Sequence, residues 1–427
     1  ATLGSAGPRL LVEVAEPPGG TAVPGDHSAR CPDAVVPFEA LLDVESADRA
    51  ELPDPGPGAQ LYVFTGGTTG TPRAVVWEVG SLLQIQQSSI YPPVGLPFPT
   101  GLEDAVALAT APDRPRVVTL PLAPFIHATA LFSAMNALAL GGTVVIHPQP
   151  GLDADAVAER IVRERVTRLI VAGDAVAVPV LDALEPRAGS AGLALGSVIS
   201  SGMRFSEETK RRLHRLGEVA IVDILASTEG GPYAMAVSRG EDDLPARFRL
   251  AEEAVVLDEG HRQVQDEPGA TGVLAFRGPL PRGYLNDPEK TARSYPVIDG
   301  VRHASPGDYV RVLPDRCIEL LGRGSSVVNT GGEKVYPAEV EQVLLEHPAV
   351  TDAVVFGVAD QRWGEVVAAA VALEPGARVA EQDLLDFVGG RLAGYKKPRR
   401  LSVRDHLGRG PTGKLDLRAL RASIEKC

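Results

Sequence analysis

Residues 64–74 read FTGGTTGTPRA, interleaving Gly66, Gly67 and Gly70 with Thr65, Thr68, Thr69 and Thr71 before Pro72 and Arg73. Glycine allows successive backbone N–H groups to converge on an anion, and threonine adds hydroxyl donors. Arg73 adds a planar cation suited to phosphate. The flanking runs LYVFT (61–65) and RAVVW (73–77) read as strands, so the stretch is either a phosphate cradle between two strands or an ordinary hairpin loop. It is not a Walker-type loop, because no Gly-Lys-Ser/Thr follows and Pro72 discourages a helix.

Something must hold that stretch in place. Short apolar strands alternate with amphipathic helical stretches from residue 61 to about 240: LYVFT, RVVTL (116–120), GTVVIH (142–147), RLIVA (168–172), GSVIS (196–200) and VAIVDI (219–224). DADAVAERIVRERV (153–166) and SEETKRRLHRL (206–216) place apolar residues at helical spacing between them. Such alternation predicts parallel, doubly wound sheets in an α/β chain. Residues 1–60 are rich in Pro and Gly, with one strand-like run, LLVEVA (10–15). Over 250–322 the texture becomes short strands and turns, as in a small antiparallel β unit, and after Gly322 it reads helix, strand, strand, helix, as in a small α+β domain. GRGSS (322–326) marks the boundary.

The bounds agree. A chain of 427 residues exceeds one compact core. A net charge of −13 argues against general nucleic-acid binding, and no apolar run reaches membrane-spanning length. Cys31, Cys317 and Cys427 have no CxxC spacing, which suits a reduced, cytoplasmic setting.

Four more stretches follow the first in order. They are DILASTEGG (223–231), GYLNDPEKTARSYPVIDGVRHASPGDYVRV (283–312), LGRGSSVVNTGGEKVYPAEVE (321–341), and the C-terminal pair GYKKPRR (394–400) and RGPTGKLD (409–416). Together the five resemble the adenylate-forming superfamily of acyl-CoA synthetases, peptide-synthetase adenylation domains and luciferases. In detail they look most like bacterial acyl-CoA ligases for fatty-acid and steroid-type carboxylates. The resemblance implies a large N-terminal domain (1–322) of doubly wound sheets plus a small β unit, a hinge at 323–326 and a mobile C-terminal domain (327–427).

It also implies roles. Thr65, Gly66, Gly67, Thr68, Thr69, Gly70 and Arg73 would hold the phosphates of ATP, with Arg73-Ala74 standing where the family usually has Lys-Gly. Thr228 would bond the α-phosphate and Glu229 would ligate Mg²⁺, although a Thr-Glu at a strand end can also cap a helix. Gly202, Leu225 and Ala226 fall in the nucleotide pocket, the last two replacing an aromatic residue and a glycine. Asp308 and Arg323 match the ribose contacts, Ser326 the hinge, and Gly331, Gly332 and Glu333 the loop that serves thioester formation. Lys414 matches the lysine that bridges substrate carboxylate and α-phosphate, and Trp363 lies in a stretch placed near CoA. As alternatives, Asp308 is a turn former, Lys414 a solvated lysine and Trp363 a core aromatic.

His127, Met135, Ser201 and Met203 fall at the expected acyl site, His127 alternatively serving only packing. The run ATALFSAMNALALGG after His127 has no carboxylate to pair with a substrate amine, which favours an apolar acid. ATP, Mg²⁺ and CoA are the implied cofactors, a carrier protein is the alternative acyl acceptor, and a homodimer is one assembly the resemblance admits. Four readings stand: a complete acyl-CoA ligase, an enzyme loading a carrier protein, a ligase that has lost adenylation, and a non-catalytic protein that keeps the fold. Relatives of this kind carry many more residues before the Gly/Thr loop than the 63 found here before Phe64. Either a shortened chain or a reduced first subdomain is expected.

Overall fold

A computed structural model describes residues 10–13, 34–37, 56–65, 73–112, 114, 116–147, 151–409, 415 and 417–424. Strands β1 (Leu10–Glu13) and β2 (Ala34–Pro37) pair in parallel. Strands β3 (Gln60–Thr65) and β4 (Arg73–Glu78) form an antiparallel hairpin whose last pair is Thr65 opposite Arg73. Ala74 to Trp77 are all buried, so β4 is covered on both faces, as its unbroken apolar run requires.

The parallel region follows. Strands β5 (Val118–Pro121), β6 (Thr143–Val144), β7 (Arg168–Val171), β8 (Ser197–Ser201) and β9 (Ala220–Ser227) lie side by side in the order 6-5-7-8-9. Helices connect them, two with side-chain caps visible in the sequence. Asp153 caps Ala154–Arg163 by accepting from the Ala156 N–H at 3.0 Å, and Ser206 caps Glu207–Arg215 by accepting from the Thr209 N–H at 3.3 Å. Val157, Ala158 and Ile161 recur at helical spacing and bury against Val118, Leu169, Val171 and Val198. The GTVVIH run pairs over only two residues, because β6 is the sheet's edge and Ile146 beyond it is 58% exposed.

Strand β10 (Gly230–Ser238) turns back antiparallel on β9. Strands β11 (Phe248–Leu250), β12 (Ala254–Leu257) and β13 (Thr271–Phe276) come next. Strand β14 (Gly283–Tyr284) leaves this sheet and pairs with β4, Tyr284 opposite Val75. After the small hairpin β15 (Val297–Ile298) and β16 (Val301–Arg302), strands β17 (Asp308–Val312) and β18 (Cys317–Arg323) return to the large sheet. The 250–322 strands are thus antiparallel and continue the parallel sheet through β10, in the order 9-10-11-18-17-13-12. Among the described residues the sheet has eleven strands, which places the β unit and the α/β layer in one framework.

Beyond Arg323, a single 3₁₀ turn (Gly324–Ser326) leads to β19 (Val328–Thr330), β20 (Glu333–Val335), β21 (Val350–Asp360), β22 (Gly364–Leu373) and β23 (Arg400–Arg404). These form their own sheet, covered by Pro337–Leu345, Glu381–Gly389 and Leu417–Ile424. The two core clusters packed on it begin at Val328 and Val354, and none of their members precedes the turn. Contacts across the turn are side-chain links. Arg311 Nη2 lies 3.4 Å from Glu339, Lys334 pairs with Glu259, and the Tyr309 and Tyr336 rings are 5.6 Å apart.

Candidate active site

Parallel strands present their carboxyl ends on one side, and that is where an open α/β sheet binds ligands. The expected residues leave the sheet there. β5 runs out towards His127, at the start of helix Ala128–Ala139, whose one face packs Ala128 and Phe132 onto the core. Met135 lies on that helix, half-buried. β8 ends in Ser201, whose hydroxyl donates to the Ile224 carbonyl on β9 at 2.8 Å, followed by Gly202 at φ +85° and half-buried Met203. β9 carries Leu225, packed against the core, and exposed Ala226.

Thr228 and Glu229 form the two-residue turn between β9 and β10, with Ser227 opposite Gly230. They cap no helix. The turn is held from two sides. The Trp77 indole N–H on β4 donates to the Thr228 carbonyl at 3.0 Å, tying the turn to the Gly/Thr hairpin. The Tyr284 hydroxyl donates to Glu229 Oε1 at 2.5 Å. Burial, and then the Glu229 charge, push the Tyr284 phenol up, so it remains a donor. Tyr284 reaches this position because Gly283 allows a sharp approach. Gly283 sits at φ +143°, and a Cβ there would lie 2.3 Å from the Thr291 methyl.

The Gly/Thr loop springs from Thr65 and Arg73, and Thr65 Oγ1 lies 3.4 Å from the Arg73 carbonyl. Gly66, Gly67, Thr68, Thr69 and Gly70 lie outside the described residues, as does Lys414. The Arg73 guanidinium donates to Asp287 Oδ2 at 2.7 Å, while Asp287 Oδ1 accepts the Lys290 N–H at 3.0 Å and caps the helix Pro288–Ser294. Lys290 Nζ stands 4.2 Å over the Tyr284 ring. A cleft of about 490 Å³ borders Tyr284 and Asp287 from the side of Gln60 and Val76.

Asp308 and Arg323 are cross-strand partners on β17 and β18, with Arg323 Nε donating to Asp308 Oδ1 at 3.2 Å. The two expected ribose contacts are therefore brought together by sheet register. Their charges reach the same neighbourhood. Arg323 acts on both Tyr284 and Lys290, and Asp308 together with Glu229 acts on buried Tyr233, whose phenol burial pushes up. Arg73, Glu229 and Arg323 thus all act on Tyr284 or on Lys290 beside it.

Gly331 and Gly332 form the tip of the β19–β20 hairpin, at φ +60° and +90°. The Gly331 N–H donates to the Trp363 carbonyl at 3.0 Å, and the Trp363 ring is flanked by the Arg362 and Arg399 guanidinium groups at 4.9 and 4.8 Å. Among the described residues, no hydrogen bond or ion pair joins this tip to Thr228, Glu229 or Arg73. Ser326 closes the 3₁₀ turn between the two sheets.

The residues fit a Mg²⁺ ion. This cation keeps several waters and takes one or two carboxylates plus substrate phosphates, so Glu229, with Oε1 anchored by Tyr284, is a sufficient protein donor.

Four contributors escaped the sequence reading: Trp77, Tyr284, Asp287 and Lys290. Three of them lie in GYLNDPEK (283–290), the opening of a stretch already singled out. The Asp-Pro pair there is a helix-start signal that could have located Asp287. No local pattern points to Trp77, whose role depends on a contact 151 residues away.

Comparison with known proteins follows the same lines. The family model for AMP-binding enzymes matches residues 4–285, and that for the AMP-binding enzyme C-terminal domain matches 339–414. A medium/long-chain-fatty-acid–CoA/3-oxocholest-4-en-26-oate–CoA ligase of Mycobacterium tuberculosis is 38% identical over 397 residues, covering 91% of this chain and 71% of that protein. The 3-oxocholest-4-en-26-oate–CoA ligase of Rhodococcus rhodochrous is 35% identical over 394 residues, covering 90% and 69%. Among solved structures, an amide bond synthetase from Marinactinospora thermotolerans superposes with a TM-score of 0.67 at 26% identity, covering 85% of this chain and 69% of that one. The o-succinylbenzoate coenzyme A synthetase of Bacillus subtilis, solved with AMP, shares the fold with a TM-score of 0.73 at 22% identity, covering 100% and 80%.

Proposed function

The chain belongs to the AMP-binding enzyme family, and from that premise we propose that it is an ATP-dependent acyl-CoA ligase for an apolar carboxylic acid of the fatty-acid or steroid type. The observation that carries this reading is the convergence of Arg73, the Thr228–Glu229 turn and the Asp308–Arg323 pair beside Tyr284. The acid's character is supported by the relatives' substrates, by exposed Phe125 and Ile126 before His127, and by the absence of a carboxylate on helix Ala128–Ala139.

A carboxylate is a poor electrophile until its oxygen carries a good leaving group. In the first half-reaction the acid's oxygen attacks the α-phosphorus of ATP. The bond to the β-phosphate breaks, its electron pair leaves with pyrophosphate, and acyl-adenylate remains. Thr228 and the Gly/Thr loop orient the phosphates, Asp308 and Arg323 hold the ribose, and Lys414 brings the two anions together. Glu229 would hold Mg²⁺, which when bound neutralises charge on the phosphates. Such preorganised charges stabilise the transition state more than the ground state. In the second half-reaction the CoA thiol attacks the acyl carbon and AMP leaves. Three cysteines with no CxxC spacing suit a reduced, cytoplasmic setting for this activity.

The reading includes domain movement. Residues 327–427 turn about 323–326, withdrawing Lys414 and bringing the Gly331–Gly332 tip to the site. The separate C-terminal cores and the single short turn between the sheets support a pivot there. Ser326→Pro fixes φ at that position and disfavours the helical conformation of the residue before it. The expected result is normal acyl-adenylate formation with a sharp fall in thioester formation. Equal loss of both steps would place the pivot elsewhere.

The reading as a whole is tested by pyrophosphate release and thioester formation with a panel of acids, with and without CoA. Acid-dependent pyrophosphate release without CoA, strongest for medium-chain, long-chain or polycyclic acids, is expected. Thioester formed only from supplied acyl-adenylate would mean adenylation is lost, and preference for a free amino acid would overturn the apolar assignment.

A further inference from the structure

We propose that Lys290 binds the β- and γ-phosphates of ATP, supplying a second cation beside Arg73 for the departing pyrophosphate. The inference rests on the adenylation reading above. It starts from the pairing of charges around Tyr284. Three cations gather there: Arg73, Arg323 and Lys290. Arg323 is answered by Asp308, and Arg73 by Asp287. Both oxygens of Asp287 are engaged, Oδ2 by the Arg73 guanidinium and Oδ1 by the Lys290 backbone N–H, so this neighbouring carboxylate is already committed. Glu229 has Oε1 on the Tyr284 hydroxyl. Among the described residues, the Lys290 ammonium makes no hydrogen bond or ion pair, and it stands 4.2 Å over the Tyr284 ring with the Glu229 and Asp287 charges acting on it from farther off.

The Glu229 and Asp287 charges favour the Lys290 ammonium, but neither carboxylate bonds it directly. Lys290 is half-buried, and its ammonium is disfavoured by desolvation and then by the Arg73 charge. A cation–π contact recovers only part of the hydration lost. An anion from outside the protein would give the ammonium the direct acceptor that neither carboxylate supplies. Its position follows from the same contacts. The Arg73–Asp287–Lys290 group lies at the foot of the Gly/Thr loop, whereas Asp308 and Arg323 mark the ribose side. The tail of the triphosphate is the anion that reaches the loop side. Tyr284 brings the two groups to one side chain: its hydroxyl holds Glu229 and its face carries the Lys290 ammonium. Asp287 acts through Arg73 and through the helix start, and is a positioning residue.

The test uses Lys290→Met, which keeps the length and apolar stem of the side chain, and Lys290→Arg, in the whole 427-residue chain. Calorimetry gives ATP and AMP affinities, and ATP–pyrophosphate exchange gives KM for pyrophosphate. The expected result for Lys290→Met is ATP and pyrophosphate binding weakened by ~10-fold to ~100-fold, the range for one charge-assisted hydrogen bond. AMP affinity stays the same, because AMP lacks the phosphates involved, and Lys290→Arg recovers most of the loss. Equal weakening of ATP and AMP would make Lys290 structural and overturn the proposal, as would unchanged ATP affinity. If the wild-type chain neither binds ATP nor exchanges pyrophosphate, adenylation itself fails and this inference fails with it. Wild-type exchange alongside a normal Met variant refutes Lys290 alone.

Discussion

Glu229→Gln is expected to lower acyl-adenylate formation by ~10²-fold or more, the scale for losing one preorganised electrostatic group, while conversion of supplied acyl-adenylate to thioester stays nearly unchanged. The substitution is almost isosteric, and the amide oxygen can still accept from the Tyr284 hydroxyl that now lies 2.5 Å from Oε1. The turn, pinned at Thr228 by the Trp77 indole, therefore keeps its shape and only the charge is lost. Two consequences separate this from a folding defect. Raising Mg²⁺ should recover part of the rate, because the metal now binds with one carboxylate fewer. Lys414→Ala should show the same split between half-reactions without the Mg²⁺ response. Single-turnover formation of labelled acyl-adenylate, followed by a separate thioester assay, reads both. Loss of both half-reactions in Glu229→Gln would remove Glu229 from the adenylation machinery.

Gly331→Ala is expected to damage the opposite step. Gly331 sits at φ +60°, where an L side chain is strained, and an added Cβ would lie 2.6 Å from the Trp363 ring. The indole packs against the Arg362 and Arg399 guanidinium groups, so either it or the tip of the β19–β20 hairpin must shift. A misplacement of about 1 Å in a positioning element costs ~10²-fold, and thioester formation should fall by that order. Adenylation should be spared, since no contact among the described residues joins the tip to Glu229 or Arg73. Gly332→Ala is the comparison. It shares a positive φ of +90° but meets nothing within 4 Å, so its loss should be the smaller. Rapid-quench measurement of thioester from supplied acyl-adenylate compares the two. Equal loss in both variants would take the Trp363 contact out of the explanation.

The sequence by itself determined the local elements and the chemical inventory. β3, β5, β7, β8 and the helix after Ser206 stand within a residue or two of where apolar spacing put them, whereas β9 runs three residues further and the helix after Asp153 ends three residues earlier. That information is local: a period of two or 3.6 states which residues must be buried, and a capping side chain marks where a helix begins. The Gly/Thr stretch, the Thr-Glu pair and the Asp308 and Arg323 motifs were legible for the same reason, as each is a short run of residue types. Tertiary structure alone decided who meets whom. Arg73 finds Asp287 across 214 residues, and Tyr284 finds Glu229 across 55. Both contacts exist because the two-residue strand β14 leaves the large sheet to pair with β4. A strand that short has no periodicity to read, and its partner is chosen by burial against Val75 and Val76. The Thr-Glu turn could be a helix cap from its residue types, and only the pairing of Ser227 with Gly230 made it a hairpin. The continuation of the parallel sheet into the antiparallel strands was likewise set by β10 folding back on β9. Hydrogen bonds between strands are made by backbone groups common to every residue, so sequence restricts such pairings only through the side chains that each arrangement buries.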